Sequence, residues 1–171
     1  MRLPARQTRP VNSREKLIAR SALPAWRATQ KKAGKRLVVT NGCFDLLHLG
    51  HVTYLEQARA LGDLLLVGVN GDAGVRQLKG PDRPVNVEAD RAGVLAALAC
   101  VDVVCIFEEK TAADFLVTSQ PDLYVKGGDY NLETINQEER RIVEQAGGKI
   151  VILPLVPGKS TTSILAKIAR L

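Results

Sequence analysis

From residue 37 onward, short runs of apolar, β-rich residues alternate with longer stretches of helical period, and this alternation restricts the fold more than any other feature. Strands are expected at 36–40, 64–70, 101–107, 122–126 and 149–154, and their nearly continuous apolar character suits strands covered on both faces. Helices are expected at 51–61, 88–99, 111–119 and 135–146, with a last one at 160–170. Leu55, Ala58 and Leu61 recur at helical spacing, as do Val94, Leu95 and Leu98. The pattern predicts an α/β fold with a parallel sheet and helices on both faces. With 171 residues and 46% hydrophobic content, the chain suffices for one domain with a full core.

Charge divides the chain differently. Residues 1–36 carry 11 of the 24 Lys and Arg but one of the 18 Asp and Glu, leaving 13 basic against 17 acidic residues beyond. The basic character therefore belongs to an N-terminal arm, residues 1–34, and the domain proper is expected at 35–171. Pro4, Pro10 and Pro24 interrupt the arm, so it is read as partly ordered, with one short helix-like stretch at 14–20. A single aromatic residue, Trp26, falls in the arm, which is no aromatic interleaving of its charge, so nucleic acid is not expected as a partner. Every motif described below begins at or after Thr40, so removing residues 1–25 is expected to leave turnover largely intact. No apolar run approaches the ~20 residues of a membrane span and no signal-peptide core follows the N-terminus, which predicts a cytoplasmic protein without a membrane partner. Cys43, Cys100 and Cys105 are odd in number and lack metal-ligand pairing, so they read as buried free thiols, and no metal ligands are assigned.

Ligands of open α/β sheets bind beyond the carboxyl ends of the strands. The first strand runs into Thr40-Asn41-Gly42-Cys43-Phe44-Asp45-Leu46-Leu47-His48-Leu49-Gly50-His51, which holds both histidines of the chain. Gly42 and Gly50 allow close backbone approach, and the free N–H groups of the helix start favour an anion. His48 and His51 at that point can donate to phosphate oxygens as charge builds in phosphoryl transfer. Lys79 and Arg83 fall in an expected loop after the second strand, where cations clamp phosphate. Lys126, Gly127, Gly128, Asp129 and Tyr130 follow the fourth strand as a loop suited to a nucleotide. Gly158-Lys159-Ser160-Thr161 is not a P-loop, because Leu153 stands where its first glycine belongs. Ser160, Thr161 and Thr162 instead form a hydroxyl-rich helix start able to cap or to bind phosphate. Asn136 and Glu139 read as a helix cap and capping box.

The turn resembles the HxGH signature of the cytidylyltransferase-like nucleotidyltransferases, whose sheet is Rossmann-like. Together with Leu61-Gly62-Asp63, Val69-Asn70-Gly71-Asp72, Leu78-Lys79-Gly80, Arg83-Pro84-Val85-Asn86, Lys126–Tyr130 and Ser160–Thr162, it looks like the adenylyltransferase domain of ADP-heptose synthase. The resemblance implies transfer of AMP from ATP to D-glycero-D-manno-heptose 1-phosphate, releasing pyrophosphate, with Mg2+ accompanying ATP. It implies a catalytic set of His48, His51 and Lys79. The implied nucleotide contacts are Asn41, Gly42, Cys43, Phe44, Asp45, Gly50, Arg91, Lys126, Gly127, Gly128, Asp129, Ser160, Thr161 and Thr162. Asn70, Asp72, Lys79 and Arg83 would meet the sugar phosphate. By analogy with related enzymes it also implies a homodimer, and a separate heptose kinase upstream, since the chain is too short to include a kinase domain.

The charged stretch 136–141 departs from the heptose pattern. Three other readings remain open: a glycerol-3-phosphate cytidylyltransferase, an archaeal-type FAD synthetase, and a non-catalytic nucleotide-binding module on the same fold.

Overall fold

In the computed structural model, residues 12–128, 130–154 and 156–170 are described. Five parallel strands form one sheet in the order β3-β2-β1-β4-β5: β1 (Leu37–Gly42), β2 (Leu64–Asn70), β3 (Val103–Phe107), β4 (Leu123–Gly127) and β5 (Lys149–Leu153). Pairing runs in strict register, from Leu37 opposite Leu64 to Gly42 opposite Val69. The chain builds outward from β1 to β3, then returns to lay β4 on the other side of β1. Such a reversal opens a crevice beyond the carboxyl ends of the two central strands.

Successive side chains of each strand point to opposite faces, so the continuous apolar runs supply two cores. Val38, Leu65, Val67, Val69, Val104 and Val125 face α2 (Leu49–Arg59) and α4 (Glu88–Ala97), where Leu55, Ala58 and Leu95 are buried. Leu37, Val39, Leu66, Cys105 and Phe107 face α5 (Ala113–Ser119) and α6 (Gln137–Gln145), meeting Phe115, Leu116 and Val143. The remaining helices are α1 (Leu23–Lys32), α3 (Asp72–Lys79) and α7 (Thr161–Ile168).

Two of these helices were not expected from the sequence. Segment 72–79, with no helix expected and Lys79 expected in a loop, closes into α3, with Val75 fully buried and Gly80 at φ 102 ending it. The helix of the basic arm lies at Leu23–Lys32 rather than at 14–20, where only a 3-10 turn forms at Ser13–Lys16. Pro24 in its first turn explains the shift, since proline suits a helix start.

Packing also carries back across the boundary placed at residue 34. Leu23 is fully buried, and the Arg27 guanidinium, almost wholly covered, donates to Asp122 at 3.1 Å and to the Gln120 carbonyl at 2.9 Å. Leu17 bridges Val104, and the Ile18 N–H donates to the Val104 carbonyl at 2.9 Å, which covers the open edge of β3. Lys16 Nζ donates to the carbonyls of Leu98 and Val101 just beyond α4. A truncation therefore carries a cost in stability beside the expected retention of turnover. Removal of residues 1–25 strips Leu23 from the core and uncovers the β3 edge, so a chemical-denaturation curve is expected to show a loss of at least about 3 kcal/mol, the scale of a lost core leucine.

Candidate active site

The crevice at the carboxyl end of the sheet encloses about 810 Å3. It brings together Asn41, Gly42, Cys43, Phe44, Asp45, His48, Gly50 and His51 from the β1–α2 turn, and Asn70, Lys79 and Arg83 from beyond β2. Lys126 and Gly127 come from β4, and Ser160, Thr161 and Thr162 from the start of α7. A second cavity of about 370 Å3 lies at the opposite, amino end of the strands among Lys31, Lys35, Arg36, Asp122 and Lys149, away from every motif.

The β1–α2 turn is shaped by contacts that its sequence requires. His48, in extended conformation, immediately precedes α2. A Cβ on Gly50 would stand 3.0 Å from His48 Nδ1 and 3.1 Å from Lys159 Cβ, so a side chain there would crowd the imidazole where it folds against the first helical turn. His48 and His51 then stack with ring centroids 3.9 Å apart and 23° between planes, with Phe44 at 5.4 Å from His51. Phe44 holds this place in a left-handed backbone conformation, φ 46, which costs energy for a residue with a side chain. Both Nδ1 atoms are buried without a partner among the described residues, leaving Nε2 as the accessible nitrogen. Burial pushes the His48 pKa below its ordinary value, helped by the Lys159 charge. Burial, with His48 beside it, pushes His51 down to about 4.

Several expected ligands also hold the crevice in shape. Asp45 is buried, and its carboxylate accepts from the Val85 N–H at 2.8 Å, the Asn86 N–H at 3.0 Å and Arg83 Nε at 2.6 Å. Burial raises its pKa, but the Asn86 and Val85 N–H groups and the Arg83 guanidinium outweigh this and hold it below the carboxylate range. Arg83 lines the crevice while spending its Nε on Asp45. Arg91, read as facing the triphosphate, has a fully buried side chain outside the crevice lining. Its guanidinium donates to the Cys43 carbonyl, to the Asn86 carbonyl at 2.9 Å and to Asp72 at 2.7 Å. Asp72 is thereby paired with Arg91 and also lies outside the lining, as does Gly128. Asp129 lies outside the described residues. Ser160 caps α7 by accepting the Ser163 N–H at 3.0 Å, and Thr161 Oγ1 donates to the Leu46 carbonyl at 3.2 Å.

The cysteines are free thiols: Cys105 is buried, whereas Cys43 and Cys100 are half-buried. Burial pushes the Cys43 thiol up despite the nearby Lys79 and Arg91 charges, which makes it a poor nucleophile at neutral pH. Sequence reasoning missed the lining residues Lys110, Thr111 and Lys159 as ligands, and gave Glu139 only a capping role. Two of the missed residues are cations near chain turns, a signal too common to single out. Among the described residues no group of three or more His, Cys, Asp or Glu could hold a metal ion, and no helix is long and apolar enough to cross a membrane.

A parallel sheet whose β1–α2 turn presents two imidazoles at a helix N-terminus, inside a crevice rich in Lys, Arg and hydroxyl groups, defines a nucleotidyltransferase. Residues 39–167 match the family described as cytidylyltransferase-like, and the chain belongs to that family. Among curated relatives, the bifunctional protein HldE of Geotalea uraniireducens (strain Rf4) is 55% identical over 147 residues, 86% of this chain and 30% of that protein. The bifunctional protein HldE of Koribacter versatilis (strain Ellin345) is 47% identical over 152 residues, 89% of this chain and 31% of that protein. The chain thus spans about 30% of the length of these relatives. The lipopolysaccharide core biosynthesis protein of Thermoplasma volcanium GSS1 superposes with a TM-score of 0.59 at 27% identity, over 72% of this chain and 98% of that one. Pantoate-beta-alanine ligase from Francisella tularensis shares the fold, with a TM-score of 0.54 at 14% identity over 91% of this chain and 78% of that one.

The histidine pair makes a pH prediction. Both rings titrate below the ordinary 6.5, so an unfolded chain takes up protons before the folded one as pH falls. Their contribution to stability is complete above about pH 6.5 and is lost as pH drops towards about 4. An NMR titration of the free protein is expected to show both rings neutral at pH 7 and His51 charging near pH 4. A bound triphosphate is expected to raise both values, because its negative charge favours the imidazolium.

Proposed function

We propose that the chain transfers AMP from ATP to D-glycero-D-manno-heptose 1-phosphate, giving ADP-heptose and pyrophosphate. The observation carrying this reading is the stacked His48–His51 pair at the start of α2, facing the crevice with Lys79, Lys159 and the α7 hydroxyls around it. Similarity to the HldE proteins over nearly the whole described domain favours the heptose phosphate as acceptor.

The chemistry needs no protein nucleophile. An oxygen of the sugar 1-phosphate attacks the α-phosphorus of ATP, a P–O bond forms, and the bond to the bridging oxygen breaks with its electron pair leaving on pyrophosphate. Neutral imidazoles with Nε2 towards the crevice can donate to the α-phosphate oxygens as their charge rises, and the N–H groups of the α2 start add to the same field. Lys79, Lys159 and the free ends of Arg83 neutralise the triphosphate and the leaving pyrophosphate. Mg2+ enters with ATP as part of the substrate. Asp45, the carboxylate within the histidine turn, already accepts three hydrogen bonds from Val85, Asn86 and Arg83, so the ion would be held chiefly by the phosphates it arrives with, and would supply charge neutralisation there. The sugar 1-phosphate is made by a kinase activity outside the fold described above.

Pyrophosphate release measured over ATP and CTP, each with heptose 1-phosphate and glycerol 3-phosphate, tests the assignment. ATP with the heptose is expected to be fastest, and faster turnover of CTP with glycerol 3-phosphate would replace the substrate reading. His48→Ala and His51→Ala are each expected to lower kcat by about 10²–10³, more than they weaken ATP binding, because the lost donors act chiefly on transition-state charge. Cys43→Ser is expected to retain most activity, and a chiral α-phosphorus should emerge inverted, as one in-line displacement requires. Retention there would mean a covalent intermediate.

A further inference from the structure

On the far side of the crevice from the histidines, four side chains close a ring. The Tyr124 hydroxyl lies 2.6 Å from Asn41 Oδ1 and 2.8 Å from Glu139 Oε2. Lys126 Nζ bridges the same two oxygens, at 3.1 Å and 3.5 Å. Glu139 is anchored from below, its other oxygen accepting the Ala112 N–H at the start of α5 at 2.9 Å. The carboxylate is buried, as is Tyr124, and Glu139, Asn41 and Lys126 all border the crevice.

The ring determines which way Asn41 faces. Lysine nitrogen has donors and no acceptor, so the Asn41 atom beside it is the carbonyl oxygen. The single Tyr124 proton goes to that oxygen or to Glu139 but not to both at once, whereas Lys126 can donate to each. The Asn41 amide nitrogen is then turned away from the ring and makes no hydrogen bond among the described residues, though it is not buried. An accessible amide donor at the end of β1, next to a lysine ammonium at the end of β4, sits where the strand order reverses. Two such donors side by side suit an anionic oxygen.

We propose that Glu139 is a positioning residue: through Tyr124 and Lys126 it locks Asn41 so that the Asn41 amide and the Lys126 ammonium together receive a phosphate oxygen of a bound substrate. The proposal rests on the reading of this crevice as the site of both substrates. The oxygen can belong to ATP or to the sugar phosphate, and the chemistry of recognition is the same for each. Lys126 is held against Glu139 and over the Tyr124 ring at 5.1 Å, so its third N–H is the one left for the ligand. Glu139 itself touches no substrate in this arrangement.

Equilibrium binding distinguishes the sources, using an α,β-methylene ATP analogue with Mg2+ in one arm and D-glycero-D-manno-heptose 1-phosphate in the other. Glu139→Gln keeps size and an acceptor for the Ala112 N–H but places a donor or a neutral oxygen beside Lys126. It is expected to weaken one ligand about tenfold while leaving the other within about twofold, and the weakened arm identifies the phosphate. Tyr124→Phe removes only the hydroxyl joining Glu139 to Asn41, and is expected to weaken the same ligand with little change in melting temperature. Because Tyr124 acts through Asn41, Tyr124→Phe combined with Asn41→Ala should bind no worse than Asn41→Ala alone. Additive losses, equal weakening of both ligands in step with a fall in melting temperature, or unchanged binding in a folded Tyr124→Phe variant would each overturn the proposal. A wild-type protein that binds the ATP analogue yet forms no ADP-heptose would remove the heptose assignment and leave the comparison of variants able to decide this one.

Discussion

A single buried carboxylate holds the crevice together. Asp45 draws the loop 83–86 onto the β1–α2 turn through two backbone N–H groups and one guanidinium, while the Asn86 side chain returns a bond to the Asp45 carbonyl at 2.9 Å. A charge taken out of water costs several kcal/mol unless partners replace the lost hydration, and here every partner comes from one loop. The loop therefore cannot leave without stranding the charge. Arg91 completes the clamp from underneath, tying the Cys43 carbonyl to the Asn86 carbonyl and to Asp72 at the start of α3. These residues were read as ligands, and the structure gives them the earlier task of making a wall for ligands to meet.

The clamped turn supports an electrostatic division of labour. Lys79, Lys159, Lys110 and Lys126 supply positive charge around the crevice, whereas the two imidazoles at its centre are kept neutral by burial and by neighbouring charge. A neutral ring donates through one nitrogen and can strengthen that bond as phosphate charge grows, without adding to repulsion in the empty site. Gly50 leaves room for this arrangement, because a side chain there would crowd the His48 ring.

The two faces of the sheet contribute different halves of the crevice. α2 brings the histidines from one face, and α5 and α6 bring Ala112 and Glu139 from the other, with Asn41 and Lys126 at the strand ends between them. Tyr54 links the halves beneath the floor, its hydroxyl 2.6 Å from Thr40 Oγ1 and donating to the Val125 carbonyl at 2.9 Å. A bisubstrate reaction gains from such a frame, since both reactants meet rigid elements rather than separate loops.

The alternation of strand and helix, the five strands and the importance of the β1–α2 turn follow from the sequence, because periodicity and glycine placement act over a few residues. Helices α1 and α3 were harder to see: α3 has eight residues, and α1 lies in a segment whose charge hides the one apolar stripe carrying Leu23. What the sequence alone could not determine was which charged residue faces ligand and which faces another residue. Asp45 meets Arg83 across 38 positions, Arg91 meets Cys43 across 48, and Tyr124 meets Asn41 across 83. Local spacing carries no record of such pairs. Only the folded sheet, by burying one partner and so obliging it to find the other, assigns Asp45 and Arg91 to the frame and leaves His48, His51 and Lys126 turned towards the crevice.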